Sequence, residues 1–112
     1  MVLGDAKMME IARISGIGEW TERRRKTERG EEILYEVPTG KVFLVDRGKT
    51  IEVRCDGKLG RKLREEYETV MESRYFGWGG IEIVMCGQLE EAEIEDLVRL
   101  SYNMTLEREN GV

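Results

Sequence analysis

Residues 50–55, Thr-Ile-Glu-Val-Arg-Cys, alternate between polar and apolar side chains at every step, a pattern that suits a strand and no helix. A period of two sends Ile51, Val53 and Cys55 to one face and Thr50, Glu52 and Arg54 to the other, one face on a core and one in water. Asp56 then stands where a helix cap belongs, ahead of a helix predicted from about Gly57 to Ser73, in which Leu59, Leu63, Tyr67, Val70 and Met71 share a face and Gly60 weakens the first turn. Arg74 to Trp78 and Ile81 to Cys86 read as a hairpin around Gly77, Gly79 and Gly80, where glycine supplies positive φ. A last helix is expected from about Leu89 to Met104, with Ile94, Leu97, Val98, Ser101 and Met104 as its buried stripe.

Upstream, Asp5 is placed to cap a first helix carrying Met8, Ile11, Ala12 and Ser15 at helical spacing, stopped by Gly16 and Gly18. Glu19 to Lys26 reads as a charged edge strand, and charge on an edge discourages further pairing. Ile33 to Val37, Val42 to Asp46 and Thr50 to Cys55 follow as a meander through Pro38-Thr39-Gly40-Lys41 and Arg47-Gly48-Lys49. The order α-β-β-β(β)-α-β-β-α predicts an α+β fold in two layers, an antiparallel sheet with helices on one face, spanning residues 1–112 as a single domain.

Composition narrows the chemistry. The chain has no histidine, which removes Ser-His-Asp and Cys-His catalysis and ordinary zinc sites; we expect no enzyme, no metal and no cofactor, an enzyme being left to work through carboxylates, Lys or Tyr. Cys55 and Cys86, 31 positions apart, read as buried thiols acting as small hydrophobes, with a disulfide or a reactive thiol as the alternative. No run approaches the roughly 18 apolar residues of a membrane span, and no basic-then-apolar leader opens the chain; the expected location is the cytoplasm, with no membrane partner.

Three motif-like stretches dissolve on inspection. Gly48-Lys49-Thr50 lacks the glycine that a phosphate loop needs at position 43, which is phenylalanine here. Gly16-Ile17-Gly18 is too short for a dinucleotide fingerprint. Glu90, Glu91, Glu93, Glu95 and Asp96 spread around the start of a helix, where the dipole favours acids, rather than converging on a cation.

Charge divides along the chain. Residues 1–64 carry 15 Lys/Arg against 11 Asp/Glu, and residues 65–112 carry 3 against 12, within an overall net charge of −5. Arg23, Arg24, Arg25 and Lys26 on the early strand, with Lys58, Arg61 and Lys62 on the middle helix, are the candidate nucleic-acid contacts, because phosphate backbones are held by several cations on one surface. Strand alternation separates Arg23 and Arg25 from Arg24 and Lys26, and Arg64 points away from the other helical cations. Tyr75, Phe76 and Trp78 are candidates to stack on bases or to anchor a protein partner, against the plainer role of sealing one end of the core.

The pieces GKVFLV (40–45), TIEVRCD (50–56), GRKLREEYETV (60–70), GWGGIEIVM (77–85) and IEDLVRLSYNM (94–104), in that order, make the chain resemble the MmcQ/YjbR family over about Ile33 to Met104. Arg54 stands where that family often has lysine, the His- and Asn-rich turn before its tryptophan is absent, and so is its N-terminal Leu-Pro-Gly start. The resemblance implies a sheet-and-helix fold like that of secretion chaperones and a DNA-binding label given by similarity, with no established activity or cofactor. Two functions are therefore expected to compete: a DNA-binding module, and a protein-interaction or chaperone-like module that pairs with a partner or with itself.

Overall fold

The computed structural model describes residues 16–109, so the expected first helix at Asp5–Ser15 lies outside the described residues. Strands β1 (Thr21–Thr27), β2 (Gly30–Glu36), β3 (Val42–Asp46) and β4 (Thr50–Arg54) form the expected meander. Helix α1 (Gly57–Glu66), strand β5 (Val70–Glu72), a 3-10 turn (Gly77–Gly79), strand β6 (Gly80–Val84) and helix α2 (Glu91–Glu109) follow. All strand pairings are antiparallel, in the order β1-β2-β3-β4-β6-β5. This is the two-layer α+β architecture expected from the sequence.

The main core lies between the sheet and the helices. Ile33, Tyr35, Ile51, Val53, Ile81 and Ile83 from the strands meet Ile94, Leu97, Val98 and Tyr102 of α2, with Leu59 and Leu63 of α1 packed at the margin. Opposite, a smaller cluster of Leu34, Val42 and Val45 is covered by Phe76. A β-bulge in β3 divides the two: Tyr35 pairs with Leu44 and Glu36 with Val42, leaving Phe43 as the extra residue. Phe43 and Leu44 consequently both enter the main core, while Val42 and Val45 face the other way. Ser101 of α2 locks this arrangement, donating its hydroxyl to the Phe43 carbonyl at 2.5 Å and accepting the Arg54 amide at 2.8 Å.

Helix α1 ends earlier than its periodicity predicts. Asp56 caps it by accepting the Lys58 amide at 2.9 Å, but Tyr67 is already extended, at φ −127° and ψ 122°. Val70 pairs with Ile83, and Thr69 exchanges hydrogen bonds with Gln88 at 3.2 and 3.3 Å. The open edge of β6 thus captures a β-branched stretch whose apolar spacing also fits a helix. The expected hairpin is corrected likewise: β6 pairs with β4 and β5, and Ser73–Phe76 form an irregular segment rather than a strand. Because β6 stops at Val84, Cys86 is exposed in a turn instead of buried in a strand, whereas Cys55 is buried; both thiols are free.

Candidate nucleic-acid interface

Segment 73–79 is fastened at both ends. Its anchor is Glu52, whose side chain is fully buried on the sheet face opposite the helices. One carboxylate oxygen accepts the Ser73 hydroxyl at 2.6 Å and the Arg74 and Tyr75 amides at 2.6 and 2.9 Å; the other pairs with Arg47. Arg47 also reaches Glu32 at 3.0 Å, and Glu32 is in turn paired with Arg25. Glu82, opposite Glu52 in the register, accepts the Thr50 hydroxyl at 2.7 Å and faces Arg29 at 4.0 Å. A buried carboxylate persists only with charged and hydrogen-bonding partners, and these acids have them.

From that anchor the chain rises over the sheet. Phe76 seats against the outer apolar cluster, with the Arg54 guanidinium 4.8 Å from its ring centre; Arg25 lies 5.8 Å from that of Tyr75. Gly77 takes φ +61°, the Gly79 amide donates to the Phe76 carbonyl at 3.3 Å, and the Gly79 carbonyl accepts the Cys55 amide at 2.8 Å. Between these ties Trp78 stands 86% exposed. With Arg64, Glu72, Ser73 and Gly77 it lines an open cleft of about 160 Å³.

The three aromatics therefore part company. Phe76 seals the smaller core, Tyr75 lies on the outer face at the margin of exposure, and Trp78 is directed into solvent.

The cations also fall into two groups. In β1, Arg23 and Arg25 pair in register with Leu34 and Glu32, and Arg24 and Lys26 with Ile33 and Glu31. Arg23 binds Glu36 at 2.9 Å, Arg24 binds Glu31 at 3.1 Å, and Arg25 binds Glu32. Lys58, Arg61 and Lys62 are exposed on α1, which packs against β5 and β6 at the far side of the sheet from β1. Five strand spacings, roughly 24 Å, separate β1 from β5, so the two groups are not one surface. Among the described residues the α1 cations have no ion pair, and no acid enters the helix before Glu65.

Two residues that matter here escaped sequence reasoning. Arg64 was set apart from the other helical cations but lines the cleft with Trp78; its spacing of three from Arg61 is the available signal. Glu52 looked like a solvent-facing residue of an alternating strand, and nothing local marks it as the anchor of a segment 21 to 23 positions away.

No group of three or more His, Cys, Asp or Glu among the described residues is arranged to hold a metal ion. Burial, reinforced by the neighbouring Asp56 carboxylate, pushes the Cys55 thiol up to about 11, away from the thiolate a nucleophile needs. No helix among the described residues is long and apolar enough to cross a membrane.

No family model matches the sequence, and no curated protein does. The architecture defined above, a six-stranded antiparallel sheet carrying helices on one face, is shared with a solved structure. Deinococcus radiodurans protein DR2400, which contains a DUF419 domain, superposes with a TM-score of 0.75 at 9% identity, over 92% of this chain and 78% of its own. At that identity the likeness is one of fold.

Proposed function

We propose that this chain is a distant MmcQ/YjbR-type module of the cytoplasm that binds nucleic acid without catalysing a reaction, and that it does so through α1. The observation carrying this reading is the contrast between the cation groups: Arg23, Arg24 and Arg25 are each neutralised by a glutamate, whereas Lys58, Arg61 and Lys62 are exposed and unpaired. A phosphate gains most from a cation that surrenders no existing partner, and each such contact also releases counterions.

The test is fluorescence anisotropy of labelled duplex and single-stranded DNA at two salt concentrations. Three phosphate contacts give a duplex affinity falling roughly 40-fold between about 50 and 200 mM salt. Reversing Lys58, Arg61 and Lys62 to Glu is expected to abolish binding, and reversing Arg23 and Arg24 to leave most of it. Absence of binding at low salt, or binding indifferent to salt, would refute the reading.

A protein-interaction module is the second reading, favoured by the exposure of Met71 on β5 and of Trp78 in the cleft it shares with Glu72. Sedimentation as a monomer at high micromolar concentration would remove its homodimeric form.

A further inference from the structure

We infer that Trp78 and Arg64 form a base-stacking subsite beside the α1 cations, so that the nucleic acid held is single-stranded; this rests on the nucleic-acid reading above. The observations are the exposure of the Trp78 ring, the ties on the backbone to either side of it, and Arg64 among the residues lining its cleft. At 86% exposure the Trp78 ring adds little to the core and leaves its face open to a ligand. Its backbone is also held firmly for a surface turn. Phe76 is seated among Leu34, Val42 and Val45, Glu52 holds the Arg74 and Tyr75 amides, and Cys55 donates to the Gly79 carbonyl. A backbone held this way loses little further freedom on binding, which favours a stacking platform.

Charge and shape choose the occupant. Arg64 lines the cleft, Arg61 lies one helical turn before it, and Lys58 lies one turn earlier still, a ladder of cations leading away from the ring. Glu72 stands in the same cleft and repels phosphate, so the backbone must run on the α1 side with a base turned toward Trp78. In a duplex the base faces are already covered by their neighbours; in a single strand they are available, and stacking tolerates any sequence because every base has a π-face. The cleft, about 160 Å³, has room for one planar ring, since an engineered cavity of about 150 Å³ takes up benzene.

The test compares an oligothymidylate with a hairpin duplex of equal charge, using anisotropy and tryptophan emission. Trp20 is half-buried and packs 5.2 Å from the Tyr35 ring, so a Trp20→Phe variant leaves Trp78 as sole reporter. We expect oligothymidylate to quench that emission and to bind more tightly than the duplex. Trp78→Ala should weaken single-strand binding roughly 10-fold or more while sparing the duplex, and Trp78→Phe should retain most of it. Circular dichroism checks that the variants fold.

If Trp78→Ala leaves single-strand affinity unchanged while reversal of the α1 cations abolishes it, the stacking subsite is wrong and nucleic-acid binding stands. If the unaltered protein binds neither probe at low salt, both fall. Dimerisation abolished by Trp78→Ala, with emission unmoved by oligothymidylate, would make the ring a protein contact and overturn the inference.

Discussion

The hydroxyl of Ser73 lies 2.6 Å from the carboxylate of Glu52, two side chains fully or almost fully removed from water and 21 positions apart in the chain. That bond, with the two amide donations beside it, carries the loop bearing Trp78 across the outer face of the sheet.

Glu52→Ala is expected to cost about 3–5 kcal/mol in urea unfolding, because it strips Arg47 of a buried counter-charge and leaves three donors without their acceptor. Hydrogen exchange at the Arg74 and Tyr75 amides should accelerate in the folded variant. A loss under about 1 kcal/mol would mean that water replaces the carboxylate and that the loop has another anchor.

Ser101→Ala removes one hydroxyl but leaves two backbone groups, the Phe43 carbonyl and the Arg54 amide, without their partner. At about 1–3 kcal/mol for each buried group left unsatisfied, the loss should be about 2–6 kcal/mol, several times that of a serine exposed on the same helix. Thermal unfolding of the two variants side by side decides it.

Gly80 is extended, at φ −160°, so space rather than conformation keeps it a glycine. A Cβ there would stand 2.6 Å from both the Phe76 Cβ and the Val53 carbonyl oxygen, and the latter belongs to a central strand that cannot give way. Gly80→Ala is expected to destabilise by about 1–3 kcal/mol and to unseat Phe76. An unchanged denaturation midpoint would count against the close approach of β4 and the turn.

Alkaline pH should weaken the fold. Desolvation raises the Cys55 thiol from 9.0 to about 11, and so raises Tyr102, whose hydroxyl donates to the Glu19 carbonyl at 2.7 Å. A thiol with a higher pKa folded than unfolded holds its proton more tightly in the fold. Its contribution is therefore complete below pH 9 and lost as pH climbs from 9 toward 11. Urea midpoints should decline over that window; a level or rising profile would contradict the burial of Cys55. Near neutral pH a thiol reagent should titrate Cys86 alone in the folded protein, and both thiols once it is unfolded.

The meander was legible because its information is local. Val42–Asp46 and the alternation of Thr50–Arg54 carry their own boundaries, and the turns between them hold glycine or proline. What escaped depends on distant partners. Val70 and Met71 fit the stripe of the expected helix until β6 offers them an edge. Phe43 and Leu44, neighbours in sequence, share a core only because the strand bulges. Glu32, Glu52 and Glu82 fall at the polar positions of their strands, and no window of sequence shows that arginines and a folded-over loop will bury them. At the candidate site, residue types placed Tyr75, Phe76 and Trp78 together; only packing separated the one that seals from the one that projects.

The arginine–glutamate lattice on the outer face has an evolutionary corollary. Arg25, Glu32, Arg47 and Glu52 form a chain of alternating charge in which each inner member touches two others. Loss of one strands its neighbour, whereas joint replacement by apolar residues that fill the same space is often tolerated or even favourable. These four positions should therefore drift as a block, and a lineage that abandons one is expected to abandon its partner as well, converting a charged layer into a greasy one without altering the path of the backbone.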